Sequence, residues 1–145
     1  MFRIIEKQNT YQIVSYLTAA LYFYLFVMLL FFPGSFLNGI GIETTESAEF
    51  LAKRAAMLIL GFAVLTFFGR KISHSPARQV MALAIGVNMA GFALMGLFEF
   101  WRGFVNAGIL TAVTIESILA ASYFLFWLTA KRAEFPENMH SGKTA

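Results

Sequence analysis

Four long apolar segments divide this chain, and each is long enough to cross a lipid bilayer. They cover residues 11–32, 50–69, 80–100 and 109–128, and a membrane-spanning helix needs about 20 residues. The segments are continuously apolar and lack the in-out alternation that the strands of a membrane barrel require. We therefore predict an all-α integral membrane protein that folds as a four-helix bundle.

The composition and the prolines agree with this division. Of the 145 residues, 59% are hydrophobic and 13% are charged, which is unlike a soluble domain of this length. Pro33 follows the first segment, Ser75 and Pro76 are suited to begin the third helix, and Pro136 lies beyond the fourth. We predict one membrane domain over residues 1–145, with residues 129–145 as a cytoplasmic tail.

The basic residues are distributed on one side of this topology. Eight of the 11 lysines and arginines belong to the N-terminus, the connection after the second segment and the C-terminal tail. They are Arg3, Lys7, Arg70, Lys71, Arg78, Lys131, Arg132 and Lys143. Because cytoplasmic flanks retain positive charge, we predict that both termini are cytoplasmic. The basic residues form no single basic face, so we expect membrane lipids as partners and no nucleic acid.

Several kinds of active site are disfavoured by the residue types. The chain has no cysteine, and its two histidines, His74 and His140, lie in polar flanks. It also has no aspartate, no phosphate-binding glycine loop and no serine with a base beside it. We therefore expect no metal and no cofactor, and a membrane-embedded enzyme is the least favoured of three functional hypotheses.

Glu116 is the residue that most needs an explanation, because it interrupts the apolar stretch ILTAVTIESILAASYFLFWL. An ionisable side chain inside a membrane costs about 3 kcal/mol unless it is paired or hydrated. Ala112 and Ala120 lie one turn to either side, and Tyr123 lies on the same face. Small neighbours permit a close approach, so Glu116 is predicted to face another helix, within the bundle or in a second copy.

Arg54 is the basic residue that the sequence matches to Glu116. The second and fourth segments run in the same direction, and the two residues lie at depths that differ by only about 4.5 Å at 1.5 Å per residue. We predict an Arg54–Glu116 ion pair. Glu49 with Lys53, and Glu99 with Arg102, are spaced to form surface pairs at the helix ends.

Asn88 is the second polar residue placed deep in an apolar segment. It lies near the middle of the third segment, where Ala82, Gly86 and Ala90 form a groove of small residues on the helix. Asn88 is therefore interpreted as an interhelical hydrogen-bonding residue or as a ligand contact. The predicted buried polar or ligand-binding residues are Arg54, Asn88, Glu116 and Tyr123.

In length, topology and the general pattern of FFPGSFLNGIGI followed by AKRAAMLILGF, the chain resembles small bacterial four-helix membrane proteins of the DoxX-like group. The resemblance covers all four segments and implies a location in the bacterial inner membrane. Some DoxX-type proteins are associated with redox chemistry, which would imply quinone-linked electron transfer, but the resemblance transfers no functional residue to this chain.

Two functional hypotheses are favoured over a membrane-embedded enzyme. The first is a non-enzymatic membrane protein that binds a lipid or apolar ligand, or that serves as an accessory subunit of a membrane complex. The second is a small oligomeric transporter in which Glu116 alternately binds a proton and a cationic substrate. A homo-oligomer or a larger complex is compatible with either.

Overall fold

The computed structural model describes the backbone of residues 2–72 and 75–140 and the side chains of residues 9–72 and 75–129. Over these residues the chain is helical and has no strand. The helices are α1 (Phe2–Phe31), α2 (Pro33–Gly39), α3 (Glu46–Gly69), α4 (Pro76–Trp101) and α5 (Ile109–His140). Four stretches are long and apolar enough to cross a membrane: Asn9–Phe31, Glu46–Gly69, Pro76–Trp101 and Ile109–Thr129. The all-α, four-span prediction is confirmed.

The helix ends follow from local chemistry. Thr45 precedes α3 and accepts a hydrogen bond from the backbone N–H of Ala48, with Glu46 and Glu49 in the first turn. Ser75 caps α4 in the same way, and Pro76 occupies the first turn as its sequence predicts.

Two helical stretches were not anticipated. The short helix α2 begins at Pro33, in a stretch without a predicted helix. Helix α5 continues beyond residue 128 to His140 and includes Pro136, although a proline in a helix interior removes one backbone hydrogen bond.

The spanning helices associate mainly as two pairs, α1 with α3 and α4 with α5. On α3 the buried face carries Ala52, Ala56 and Ala63, whose small side chains let α1 approach closely. On α4 a Cβ atom at Gly86 would lie 3.3 Å from Cβ of Tyr123 on α5. Glycine at this position therefore sets the close spacing of α4 and α5.

At one end of the bundle, Asn106 joins the connection between α4 and α5 to the end of α2. Its backbone N–H donates to the carbonyl of Ile40 (2.8 Å), and its Nδ2 donates to the carbonyl of Gly39 (3.2 Å). Its Oδ1 accepts from the N–H of Gly108 (2.8 Å). We call these four residues the clasp and this end the clasp end. The opposite end, where α1 begins and α5 ends, is the termini end.

Burial is uneven along α5. Leu119, Ala120 and Tyr123 are buried, and all three lie in the half of the spanning segment toward the termini end. From residue 109 to residue 118 every side chain is at least partly exposed. The bundle thus covers α5 closely near the termini end and only partly near the clasp end.

Candidate functional site

A row of hydroxyl side chains runs along the buried face of α1. Tyr11, Ser15, Thr18 and Tyr22 recur every three or four residues, so they share one face of the helix. Tyr11 and Ser15 are 1% exposed, and Thr18 and Tyr22 are fully buried. The row is about 16 Å long at 1.5 Å per residue, roughly half the hydrocarbon thickness of a bilayer. We call these four residues, with Tyr123 of α5, the hydroxyl column.

Tyr123 joins the column from the opposite helix pair. It is fully buried, and its hydroxyl donates to Oγ of Ser15 at 3.4 Å. Thr18 lies close to the same hydroxyl, while its own Oγ1 donates to the carbonyl of Val14 at 2.8 Å. The ring of Tyr123 meets that of Tyr11 edge-on, with 6.3 Å between centroids. The column therefore lies where α1 meets α5.

Arg78 closes the column at the termini end. Its guanidinium carbon lies 3.9 Å from the ring centroid of Tyr11, and the residue is 8% exposed. A guanidinium over an aromatic face is stabilised by the negative charge of the ring's π system. Phe126 packs edge-on against the same ring, with 5.3 Å between centroids. The positive charge of Arg78 thus lies over the ring of Tyr11, the first residue of the column.

Asn88 meets the column at its other end. The hydroxyl of Tyr22 donates to Oδ1 of Asn88 at 2.8 Å, which links α1 to α4. The Tyr22 ring stacks on Phe62 of α3, with 5.6 Å between centroids. One tyrosine therefore contacts both helix pairs near the middle of the membrane.

Glu116 lies beyond this point, toward the clasp end. It is half-buried and shares a face of α5 with Ala120 and Tyr123, so it is directed toward the interior of the bundle. Within the part of the chain that the structure describes, Glu116 makes no hydrogen bond and no ion pair. A carboxyl group is thus left without a counter-charge inside a spanning segment.

The predicted Arg54–Glu116 ion pair is not formed, and this prediction needs correction. Arg54 is exposed on α3, and its guanidinium lies 5.8 Å from the ring centroid of Phe50, one turn away on the same helix. Although the two residues have similar depths, α3 packs on α1 while α5 packs on α4. Arg54 is therefore not part of the buried polar core.

The two predicted surface pairs are confirmed. Nζ of Lys53 lies 3.3 Å from the Glu49 carboxylate, and the Arg102 guanidinium lies 3.1 Å from that of Glu99. These pairs engage two of the three cations near the clasp end, and Arg54 stacks on Phe50. None of the ion pairs among the described residues involves Glu116.

Of the five residues of the hydroxyl column, only Tyr123 was among the predicted site residues. The spacing of Tyr11, Ser15, Thr18 and Tyr22 is visible in YQIVSYLTAALY and could have identified the row as one helix face. Arg78 was interpreted only as one of the basic residues of the cytoplasmic flanks that predict the orientation in the membrane. The spacing on α1 was available, but the contact with Tyr123 depends on which helices are neighbours.

The described residues contain no group of three or more histidine, aspartate or glutamate side chains that could hold a metal ion. No protein-family model matches the chain, and comparison with curated proteins and with solved structures also gave no match. The DoxX-like resemblance stays a prediction.

Proposed function

We propose that this is a non-enzymatic membrane protein that binds a lipid or another membrane-soluble amphiphile between its two helix pairs. The polar group of the ligand meets Glu116, Tyr22 and Asn88. Its apolar part lies along the clasp half of α5, where the side chains are only partly covered. A ligand of this kind enters sideways from the bilayer and needs no aqueous pore.

The observation that carries this proposal is the half-buried carboxyl group of Glu116, which has no ion pair within the described residues. An ionisable group inside a membrane is costly, so it is retained in most proteins for a partner or a function. The internal partner suggested by the sequence, Arg54, lies on the other helix pair. A bound molecule with a hydrogen-bond donor supplies the missing contact.

The basic flanks support an orientation in which both termini are cytoplasmic, as expected for a protein of the bacterial inner membrane. In that orientation the clasp end faces outward. The partly covered half of α5 then lies in the outer leaflet, and outer-leaflet amphiphiles are the molecules with direct access to Glu116.

Native mass spectrometry of protein extracted gently from its own membrane tests the proposal. We expect a reproducible extra mass of an amphiphile on the wild type and on Ser117→Ala, a control at an exposed neighbouring residue. Glu116→Gln should carry at least about tenfold less, a loss of about 1.4 kcal/mol of binding free energy. A mass equal to that of the chain alone in every gentle extraction would overturn the proposal. A second protein bound to the chain would instead indicate the accessory-subunit form of the hypothesis.

The second candidate is the oligomeric proton-coupled transporter. It is favoured by the same missing ion pair, because a carboxyl group without Arg54 is available to exchange a proton for a cationic substrate. Proteoliposomes enclosing a pH-sensitive dye test it with a series of lipophilic amines. Proton movement on amine addition that is abolished in Glu116→Gln supports transport, and no movement with any amine in the series argues against it.

A further inference from the structure

We propose that Arg54 binds the phosphate of an anionic glycerophospholipid in the leaflet at the clasp end, with the acyl chains of this lipid along the exposed face of α3. Arg54 belongs to the membrane-spanning segment Glu46–Gly69, and its side chain is exposed. None of the ion pairs among the described residues involves it. A charge in a spanning segment is costly unless it is paired or reaches the membrane surface, so the bilayer itself is the nearest source of a counter-ion.

The guanidinium group of Arg54 is directed toward the clasp end. Its central carbon lies 5.8 Å from the ring centroid of Phe50, which precedes Arg54 by about one helical turn and is nearer to that end. Side chains on a helix tilt toward its N-terminus, and long basic side chains in a membrane extend their charge toward the surface. The guanidinium therefore has the orientation expected for contact with lipid headgroups at the clasp end.

The depth of Arg54 places its charge within reach of lipid phosphates. Its Cα lies about 12 Å from the start of α3 at Glu46, at 1.5 Å per residue. The helix is about 36 Å long and the hydrocarbon core is about 30 Å thick, so in a centred helix this Cα lies about 9 Å below the boundary. An extended arginine side chain covers most of that distance, and local thinning of the bilayer brings the phosphate to it.

The acidic side chains that precede Arg54 on the same side are engaged or lie farther from it. Glu49 already pairs with Lys53, whose Nζ lies 3.3 Å from the Glu49 carboxylate. Glu43 and Glu46 are exposed and precede Arg54 by two helical turns or more. The other described ion pair of the clasp end is confined to α4 and its C-terminal end. A lipid phosphate therefore supplies the negative charge that this part of α3 leaves unpaired.

A guanidinium group and a phosphate diester match in shape as well as in charge. The planar fork of arginine donates two parallel N–H···O bonds to two oxygens of the phosphate, and such charge-assisted bonds are about twice as strong as neutral ones. A headgroup without an ammonium group leaves the phosphate charge uncompensated. Lipids with a net negative charge are therefore preferred to zwitterionic lipids.

The face of α3 that carries Arg54 continues toward the middle of the membrane as an apolar surface. Leu58 and Leu65 are exposed on this face, and Gly61 lies between them. A Cβ atom at Gly61 would meet nothing within 4 Å, so the glycine leaves a gap between the two leucines. The opposite face of α3 carries the buried alanines that pack on α1. The gap is therefore open to the bilayer and suits an acyl chain.

This lipid site is separate from the one proposed at Glu116. Arg54 lies on the side of α3 that faces away from α1, whereas Glu116 belongs to α5, which packs on α4. The ligands also differ, because Arg54 selects a negative charge and Glu116 selects a hydrogen-bond donor. Binding at one site does not depend on binding at the other.

Native mass spectrometry with added lipid tests the site. The delipidated protein is titrated in detergent with phosphatidylglycerol, and separately with phosphatidylcholine of the same acyl chains, and the Kd of the first bound lipid is measured. We expect phosphatidylglycerol to bind more tightly. Arg54→Gln should raise its Kd by about tenfold, as expected for the loss of a charge-assisted hydrogen bond. Arg54→Lys keeps the charge without the fork, so its Kd should lie between those of the wild type and Arg54→Gln.

Two control variants remove the same charge at other positions. Lys53→Gln changes the neighbouring cation, which is engaged by Glu49, and Lys71→Gln changes an exposed cation at the termini end. Both should retain the tight first site. Glu116→Gln should bind phosphatidylglycerol as the wild type does, and Arg54→Gln should keep the amphiphile of a gentle extract. A failure of one proposed site is thereby distinguished from a failure of the other.

The same titrations can contradict the assignment. Equal Kd values of the wild type and Arg54→Gln for phosphatidylglycerol would overturn it, as would equal binding of the two lipids by the wild type. Loss of the first site in Lys71→Gln alone would place the lipid at the termini end instead. A dimer that dissociates in Arg54→Gln would also exclude the lipid, because the counter-ion of Arg54 would then be an acidic residue of a second copy.

Discussion

The hydroxyl of Tyr22 donates a hydrogen bond of 2.8 Å to Oδ1 of Asn88, a residue 66 positions away in the chain. This bond crosses between the two helix pairs near the middle of the membrane. The two pairs share little other close backbone packing, so the bond has a large part in setting how α1 lies against α4.

Tyr22→Phe and Asn88→Ala are expected to lower the free energy of unfolding in detergent. The coupling between them in a double-mutant cycle should be about 0.6 kcal/mol, the average for hydrogen bonds between membrane helices, and no more than about 1.7 kcal/mol. Titration with a denaturing detergent measures it. Strictly additive effects would mean that the bond adds nothing to stability.

Replacing Tyr11 separates its ring from its hydroxyl. Tyr11→Phe keeps the aromatic face beneath Arg78, whereas Tyr11→Leu removes it. We expect Tyr11→Leu to be the less stable of the two by about 1 to 2 kcal/mol, because a desolvated cation loses its π partner. Equal unfolding free energies of the two variants would contradict this account.

Gly86 and Gly91 provide a matched pair on α4. A Cβ atom at Gly86 would meet Tyr123 and Phe124, whereas Gly91 has nothing within 4 Å. Gly86→Leu should destabilise the protein by about 1 to 3 kcal/mol through overpacking and displace Tyr123 from the hydroxyl column. Gly91→Leu should be neutral or slightly stabilising, because leucine favours helix more than glycine does. Thermal unfolding of both variants checks the contrast.

Gly41 and Gly103 both have positive φ angles, 85° and 73°. Alanine at either position incurs the left-handed backbone cost of about 1 to 2 kcal/mol. At Gly41 its Cβ also lies 3.1 Å from Asn106, whereas nothing is within 4 Å at Gly103. Gly41→Ala should therefore be the more destabilising in denaturing detergent. Equal losses would show that the clasp tolerates the added methyl group.

The spanning helices were predictable because lipid imposes their length and composition. The caps at Thr45 and Ser75 and the surface ion pairs also depend on neighbours within one helix, which a sequence displays directly. Helix α2 was harder to foresee, since a seven-residue helix after a proline carries little periodic signal.

The candidate site was only partly predictable, because it depends on helix neighbours. Asn88 and Glu116 stand out as polar residues in apolar stretches, but their depth does not identify their partners. Arg54 matches Glu116 in depth and in charge, yet the pairing of α3 with α1 places it elsewhere. Tyr22 does not stand out among the many aromatic residues of the first segment, and only the fold shows that its hydroxyl meets Asn88.

The clasp has a consequence for biosynthesis. Asn106 bonds to Gly39, 67 residues earlier in the chain. Helices α1 and α3 can associate soon after they emerge from the ribosome, but Gly39 must wait for the segment that precedes α5. The clasp can therefore close only after the last connection between spanning helices has been synthesised, so its bonds form late in the assembly of the chain.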